Sequence, residues 1–271
     1  MHFADQFGVC IRGHGPRTVV LGNGFGTHPS AWNFVAASLV NLGYRVVTYD
    51  AAGASDLTLP LYQAERHRTL FGFAEDLVEL MQSLHIHGAG YVGHSVAGIV
   101  GVLAANGNPD LFTSLTLLSG SACYIDDAAT GYIGGFSSEQ VDTLLAAMRS
   151  DYAVWANGFA PLVAANPDRP HLALEFTRSL LAMRSDIACA VLDTIFHCDH
   201  RADAPRVSIP TQVLQASHDP AVPLAASEWL ATQVRATDFR VLDADGHFPH
   251  ISAPSQVTGA IQEFLAEHVR S

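Results

Sequence analysis

The chain of 271 residues is poor in charge, poorer still in basic side chains, sparing with cysteine, and without a long apolar run. Charged residues make up 15%, and 14 Lys and Arg stand against 26 Asp and Glu, for a formal net charge of −12. Nucleic acid and anionic membrane surfaces are bound by clustered basic side chains, so a few scattered ones argue against both partners. The longest apolar run, "AGIVGVLAA" from Ala97, falls far short of the roughly 18 residues a membrane span needs. The opening "MHFADQFGVCIRG" has neither the basic nor the apolar stretch of a secretory leader, and a cytoplasmic, soluble protein is expected. Cys10, Cys123, Cys189 and Cys198 show no C-x-x-C spacing, which leaves no disulfide framework or zinc ribbon and predicts buried thiols. There is no internal repeat and no low-complexity segment.

Hydrophobic residues make up 49%, enough in a chain of this length to bury a full core as one domain or one domain with an insertion. Short β-branched runs begin at Thr18, Tyr44, Gly88, Leu115, Thr211 and Asp238. Helix-length segments, Ala31 to Leu42, Gly72 to Leu84 and Val96 to Asn106, separate the first four. This alternation predicts an α/β protein with a mostly parallel central sheet flanked by helices. From about Tyr124 to about His200 the strand pattern gives way to helical periodicity, broken by the turn signal "NPDRP". The expected organisation is therefore a core of residues 1–123 and 201–271 carrying an all-helical insertion, 124–200. Such an insertion would cap the C-terminal ends of the strands, where open α/β sheets bind ligands.

One stretch carries chemistry. "GHSVAG", residues 93–98, nearly spells G-x-S-x-G, with Ala97 where the second glycine belongs. A strand precedes it and helix formers follow, the context in which a tight turn lifts a nucleophilic serine above the sheet. The alternative is a serine that merely caps a helix. A nucleophile requires a base and the base an orienting acid, and both follow in order at strand ends: Asp219 in "ASHDPAV" and His247 in "DADGHFPH". Asp219 taken singly reads as a turn residue before Pro220. His250 rivals His247, which is preferred because Gly246 permits a sharp loop. In this reading the negative charge on a substrate carbonyl meets the backbone N–H groups of Val96 and of Phe25, the latter in "NGFG" after the first parallel strand.

Two competing patterns are weaker. Gly22 and Gly24 followed by Asp50 imitate a dinucleotide fingerprint, but Thr27 stands where its third glycine belongs and Pro29 interrupts the phosphate-binding helix. Neither His85 with His87 nor His197 with His200 has metal-binding H-E-x-x-H spacing, so no metal and no cofactor is expected.

Over nearly its whole length the chain resembles one branch of the α/β-hydrolase superfamily, the RsbQ-like bacterial proteins and the plant karrikin and strigolactone receptor-hydrolases. "YVGHSVAG", "GSACYIDD", "DYAVWANGFAPLV", "NPDRP", "TIFHCDHR", "VLQASHDPAVP" and "DGHFPHIS" carry the resemblance. It implies Ser95, Asp219 and His247 as a catalytic triad, Phe25 and Val96 at the oxyanion hole, and a V-shaped cap of four helices. It also implies a narrow apolar pocket lined by Phe25, Tyr124, Phe136, Trp155, Phe159 and Phe196; the plain alternative is that these aromatics glue cap to core. The implied activity is hydrolysis of a small, mostly apolar ester or lactone, butenolides included. A second implied role is that of a ligand sensor, with slow or incidental hydrolysis and a protein signalling partner at the cap. Two departures bear on the ligand: "AAGASDL" after Asp50 looks shorter than the family's turn, and His28 stands where a small or acidic residue is common.

Overall fold

A computed structural model describes residues 3–268. Among them seven strands form one sheet in the order β1-β3-β2-β4-β5-β6-β7. These are β1 (Cys10–Arg12), β2 (Arg17–Gly22), β3 (Tyr44–Thr48), β4 (Ala89–His94), β5 (Phe112–Leu118), β6 (Thr211–His218) and β7 (Asp238–Asp245). All neighbours run parallel except β1, which pairs antiparallel with β3. The six strands visible in the sequence are present. β1 was not legible, being three exposed residues with no buried face to impose alternation. It also explains a correction to the thiols: Cys10 is exposed on this edge, Cys189 and Cys198 are half-buried, and only Cys123 is buried.

The helices cover both faces, as a parallel sheet requires. Along β2 and β3, Val20 and Val47 point into the layer under α2 (Leu70–Ser83) and α3 (Val96–Gly107). Their neighbours Val19, Leu21 and Val46 point to the opposite layer, with α1 (Asn33–Asn41). α3 is buried at nine consecutive positions, Ala97 through Ala105, which is why its sequence is apolar all round. It lies close enough to the sheet that a Cβ on Gly101 would stand 2.5 Å from the Tyr91 ring.

Between β5 and β6 the chain forms α4 (Ser138–Ser150), α5 (Tyr152–Ala164), α6 (Pro170–Ala182) and α7 (Ser185–Phe196). α4 starts with a capping box between Ser137 and Gln140, and Asp151 caps α5. The segment leaves and rejoins the core side by side: Cys123 bridges Asp199, and the His200 N–H donates to the Ala122 carbonyl at 2.8 Å. The fold closes with α8 (Leu224–Gln233), α9 (Pro249–Ser252) and α10 (Pro254–His268). Among the described residues no helix is long and apolar enough to cross a membrane.

β4 and α3 pass backbone against backbone at Gly93, where an added Cβ would stand 2.5 Å from the carbonyl carbon and oxygen of Ala97. Those are backbone atoms and cannot step aside. Gly93→Ala should therefore cost about 2–3 kcal/mol, seen as a lower urea midpoint at unchanged slope. A wild-type midpoint would show that β4 and α3 are free to separate.

Candidate active site

Ser95 sits on the turn from β4 to α3 with φ +56° and ψ −127°, a conformation side chains rarely adopt. Two backbone bonds hold it: its N–H donates to the Leu118 carbonyl at 2.8 Å, and its carbonyl accepts from the Gly98 N–H at 2.9 Å. The near-miss at Ala97 is resolved by Gly22 across the sheet. A Cβ there would meet the Ala97 methyl at 3.1 Å, so the glycine on β2 makes the room that Ala97 uses.

Three side chains from distant loops meet at this turn. Ser95 Oγ lies 2.8 Å from His247 Nε2, and His247 Nδ1 lies 2.9 Å from Asp219 Oδ2 and 3.1 Å from Oδ1. A carboxylate only accepts, so His247 donates from Nδ1 and its Nε2 is left to accept the serine proton. The Asp219 side chain is fully buried, and its oxygens also accept from the N–H groups of Ala221 and Val222 and from Gln215 Nε2. Gln215 in turn accepts from Ser227 Oγ at 2.7 Å. The rival His250 stays away from the hydroxyl, buried and stacked on Trp32 at 4.4 Å.

The His247 loop is gripped from both sides. The Gly246 N–H donates to the His218 carbonyl, and the His247 N–H donates to the Val163 carbonyl at the end of α5. Asn166, in the "NPDRP" turn, donates to the carbonyls of Ala164 and Asp245. A Cβ on Gly246 would strike the Ala164 carbonyl oxygen at 2.0 Å, which is the physical reason for glycine there. From below, His94 donates Nε2–H to the His247 carbonyl at 2.7 Å. Gln215, Asn166 and His94 went unnoticed in the sequence: His94 and Asn166 take partners far along the chain, and Gln215, though close to Asp219 in sequence, looks like any other residue of a buried strand.

Phe25 and Val96 flank Ser95. A Cβ on Gly24 would lie 3.1 Å from Ser95 Cβ, so the Asn23–Gly26 turn runs against the serine. Val96 begins α3, where an N–H has no intrahelical acceptor. A cavity of about 50 Å³ surrounds Ser95 and His247, and Phe25, Tyr124, Phe159 and Phe196 line it with Phe176, Ile195 and Phe248. Two expected lining residues stand behind this layer: Phe136 packs edge-on against Phe196, and Trp155 stacks on Phe159 and lines an outer groove between α4 and α5. Phe176, Ile195 and Phe248 were missed, since which side chains face the cavity depends on how α6, α7 and the loop after β7 pack together. Burial pushes the Tyr124 phenol up and hydrogen bonding with the Ser95 side chain opposes it less strongly, so the phenol stays protonated beside the serine. His28 lies outside the cavity, accepting from the Ser30 N–H.

No group of three His, Cys, Asp or Glu among the described residues is placed to hold a metal ion. His197 and His200 are instead paired with Asp193 and Asp203.

A nucleophile raised on a strand-to-helix turn, with its acid and histidine on the loops after β6 and β7, is the arrangement of an α/β hydrolase. The chain belongs to the alpha/beta hydrolase family, which it matches over residues 19–260. It is 41% identical over 255 residues to "Karrikin insensitive 2 receptor CA" of Petunia hybrida, covering 93% of each chain. It is 34% identical over 264 residues to "Strigolactone esterase RMS3" of Pisum sativum, covering 97% of this chain and 98% of that one. A hydrolase from Oleispira antarctica shares the fold with a TM-score of 0.93 at 24% identity, covering 97% and 96%.

Beneath the site, burial and the neighbouring His247 push His250 down to about 3, and burial holds His94 well below its usual value. The unfolded chain protonates both near 6.5 and the folded chain resists, so their contribution is complete above about pH 6.5 and is lost as pH falls toward 3. His250→Phe should flatten the fall in unfolding free energy by about 1.4 kcal/mol per pH unit between about pH 5.5 and 4. Urea titrations across that range giving parallel wild-type and variant slopes would show that His250 takes up protons while folded.

Proposed function

We propose that the protein is a serine hydrolase that cleaves a small, mostly apolar ester or lactone with its own side chains, residues 124–200 forming the cap over the site. The observation that carries this reading is the Ser95–His247–Asp219 relay, 2.8 and 2.9 Å long, opening into a cavity lined by aromatic side chains. The similar proteins, a receptor and an esterase, agree with an ester or lactone as the ligand. His247 Nε2 takes the Ser95 proton as Oγ attacks the carbonyl carbon, and Asp219 stabilises the imidazolium. The carbonyl electrons move onto oxygen, where the N–H groups of Phe25 and Val96 receive the charge. Collapse of that intermediate returns the proton to the leaving oxygen and leaves an acyl-serine. Water, deprotonated by His247, then releases the acid and restores the hydroxyl. The buried Tyr124 hydroxyl, beside Ser95, supplies one directed polar group in an otherwise apolar pocket.

A second reading is favoured by the cap's outer surface. Val154, Leu162 and Leu174 are 68%, 71% and 55% exposed, an apolar display suited to a protein partner of a ligand sensor. In that case the same cavity binds the signal and turnover is slow or incidental.

Ser95→Ala should abolish hydrolysis of p-nitrophenyl acetate and of a synthetic butenolide, together with any acyl adduct seen by intact mass. Asp219→Asn should lower kcat by about 10⁴ while leaving the fold intact. Equal activity in wild type and Ser95→Ala would end the nucleophile assignment. Ligand binding without turnover in the wild type would favour the sensor.

A further inference from the structure

A second chamber lies on the other side of Phe25. It has a volume of about 60 Å³, and Phe25 and Ile195 line both it and the triad cavity, so these two side chains form the wall between them. A water needs roughly 10–15 Å³, so the chamber is too large to be a packing defect of one atom. Ala51, Ala52 and Ala54 form one side, Val100 comes from α3, and Val191 comes from α7. The unusual turn after Asp50 thus has a structural consequence. Three alanines line the wall, and the turn closes on itself with the Gly53 N–H donating to the Thr58 carbonyl.

Among the residues lining the chamber, Asn23 carries one unused polar atom. Asn23 is 8% exposed, its Nδ2 donates to the Tyr49 carbonyl at 2.9 Å, and its Oδ1 has no partner among the described residues. That donor bond fixes which way the amide points, so the unpaired atom is an acceptor. Asp76, the charged residue lining the chamber, is already held by Arg66 and His67. A buried acceptor without a partner is costly, and a ligand hydroxyl that donates to it regains that cost.

We propose that this chamber is a second substrate subsite, taking an apolar arm of the acyl group that passes Phe25 and ends in a hydroxyl donated to Asn23 Oδ1. The substrate class it selects is an ester or lactone carrying a hydroxyalkyl arm, with its carbonyl on Ser95. This deepens the hydrolase reading above and rests on it. Phe25 then has two duties: its backbone N–H meets the carbonyl oxygen, and its ring turns aside to join the two spaces.

The test compares p-nitrophenyl acetate, hexanoate and 6-hydroxyhexanoate. Ala54→Phe fills the chamber from its half-buried rim, and Val191→Phe fills it from α7 should the first variant fold poorly. Each should keep acetate hydrolysis within about twofold and lower kcat/KM for hexanoate by roughly tenfold, mainly through KM, because several methylenes lose their burial. Asn23→Ala should reduce the hydroxyhexanoate-to-hexanoate ratio roughly 3- to 10-fold, the worth of one buried hydrogen bond. A hexanoate-to-acetate ratio unchanged in both filling variants would overturn the subsite, and an unchanged ratio in Asn23→Ala would overturn the hydroxyl assignment. A wild type that cleaves none of the three would sink the hydrolase reading instead. Saturation-transfer NMR of 1,6-hexanediol with Ser95→Ala then decides the subsite: signal lost on adding Ala54→Phe supports it, and signal retained overturns it.

Discussion

The meeting of Ser95, His247 and Asp219 depends on one strained turn. Ser95 holds a positive φ that costs about 1–3 kcal/mol, and it persists because strand and helix leave it no alternative. β4 is the middle strand of the sheet and buried along its whole length, while α3 is buried on nearly every side. The two meet where Gly93 allows backbone against backbone and Gly22 admits the Ala97 methyl. A serine on a looser turn would find a low-energy conformation of its own. Here the free energy of the core is used to point one hydroxyl at one imidazole.

The helices between β5 and β6 take part in that positioning. The end of α5 leaves carbonyls without helical partners, and the His247 loop occupies them: the His247 N–H takes Val163, while Asn166 joins Ala164 to Asp245. Arg169, from the same turn, donates to the Ser252 carbonyl at 2.7 Å. A displacement of α5 from the core would have to break these bonds, so the position of α5 and the aim of the histidine are mechanically linked. The neutral His94 and His250 beneath extend the arrangement inward, filling the space between the histidine loop and Trp32 with stacked rings.

Much of this was legible before any coordinates. Six strands announced themselves by β-branched runs because a parallel sheet buries both faces, and the helices between them followed from periodicity. Ser95, Asp219 and His247 were legible because strand ends converge at one edge of the sheet, so order along the chain translates into proximity in space. The lining of the cavity was less so. Tyr124, Phe159 and Phe196 face the serine, whereas Phe136 and Trp155 support them from behind, and an aromatic on a cap helix reads identically in either place. β1 escaped because three exposed residues carry no pattern, and the environment of Cys10 was misread with it.

The sequence by itself determined the α/β class, the order of the elements and the chemistry available at the strand ends, since those follow from local periodicity and residue type. Only the tertiary structure decided which histidine reaches the serine, why Ala97 is tolerated, and how Gln215, His94 and Asn166 brace the relay. It alone also showed the chamber beside Phe25 with Asn23 at its wall. The physical reason is the same in each case. Hydrogen-bond partners and cavities are properties of surfaces brought together from parts of the chain as much as 153 residues apart, and no local pattern encodes which surfaces those will be.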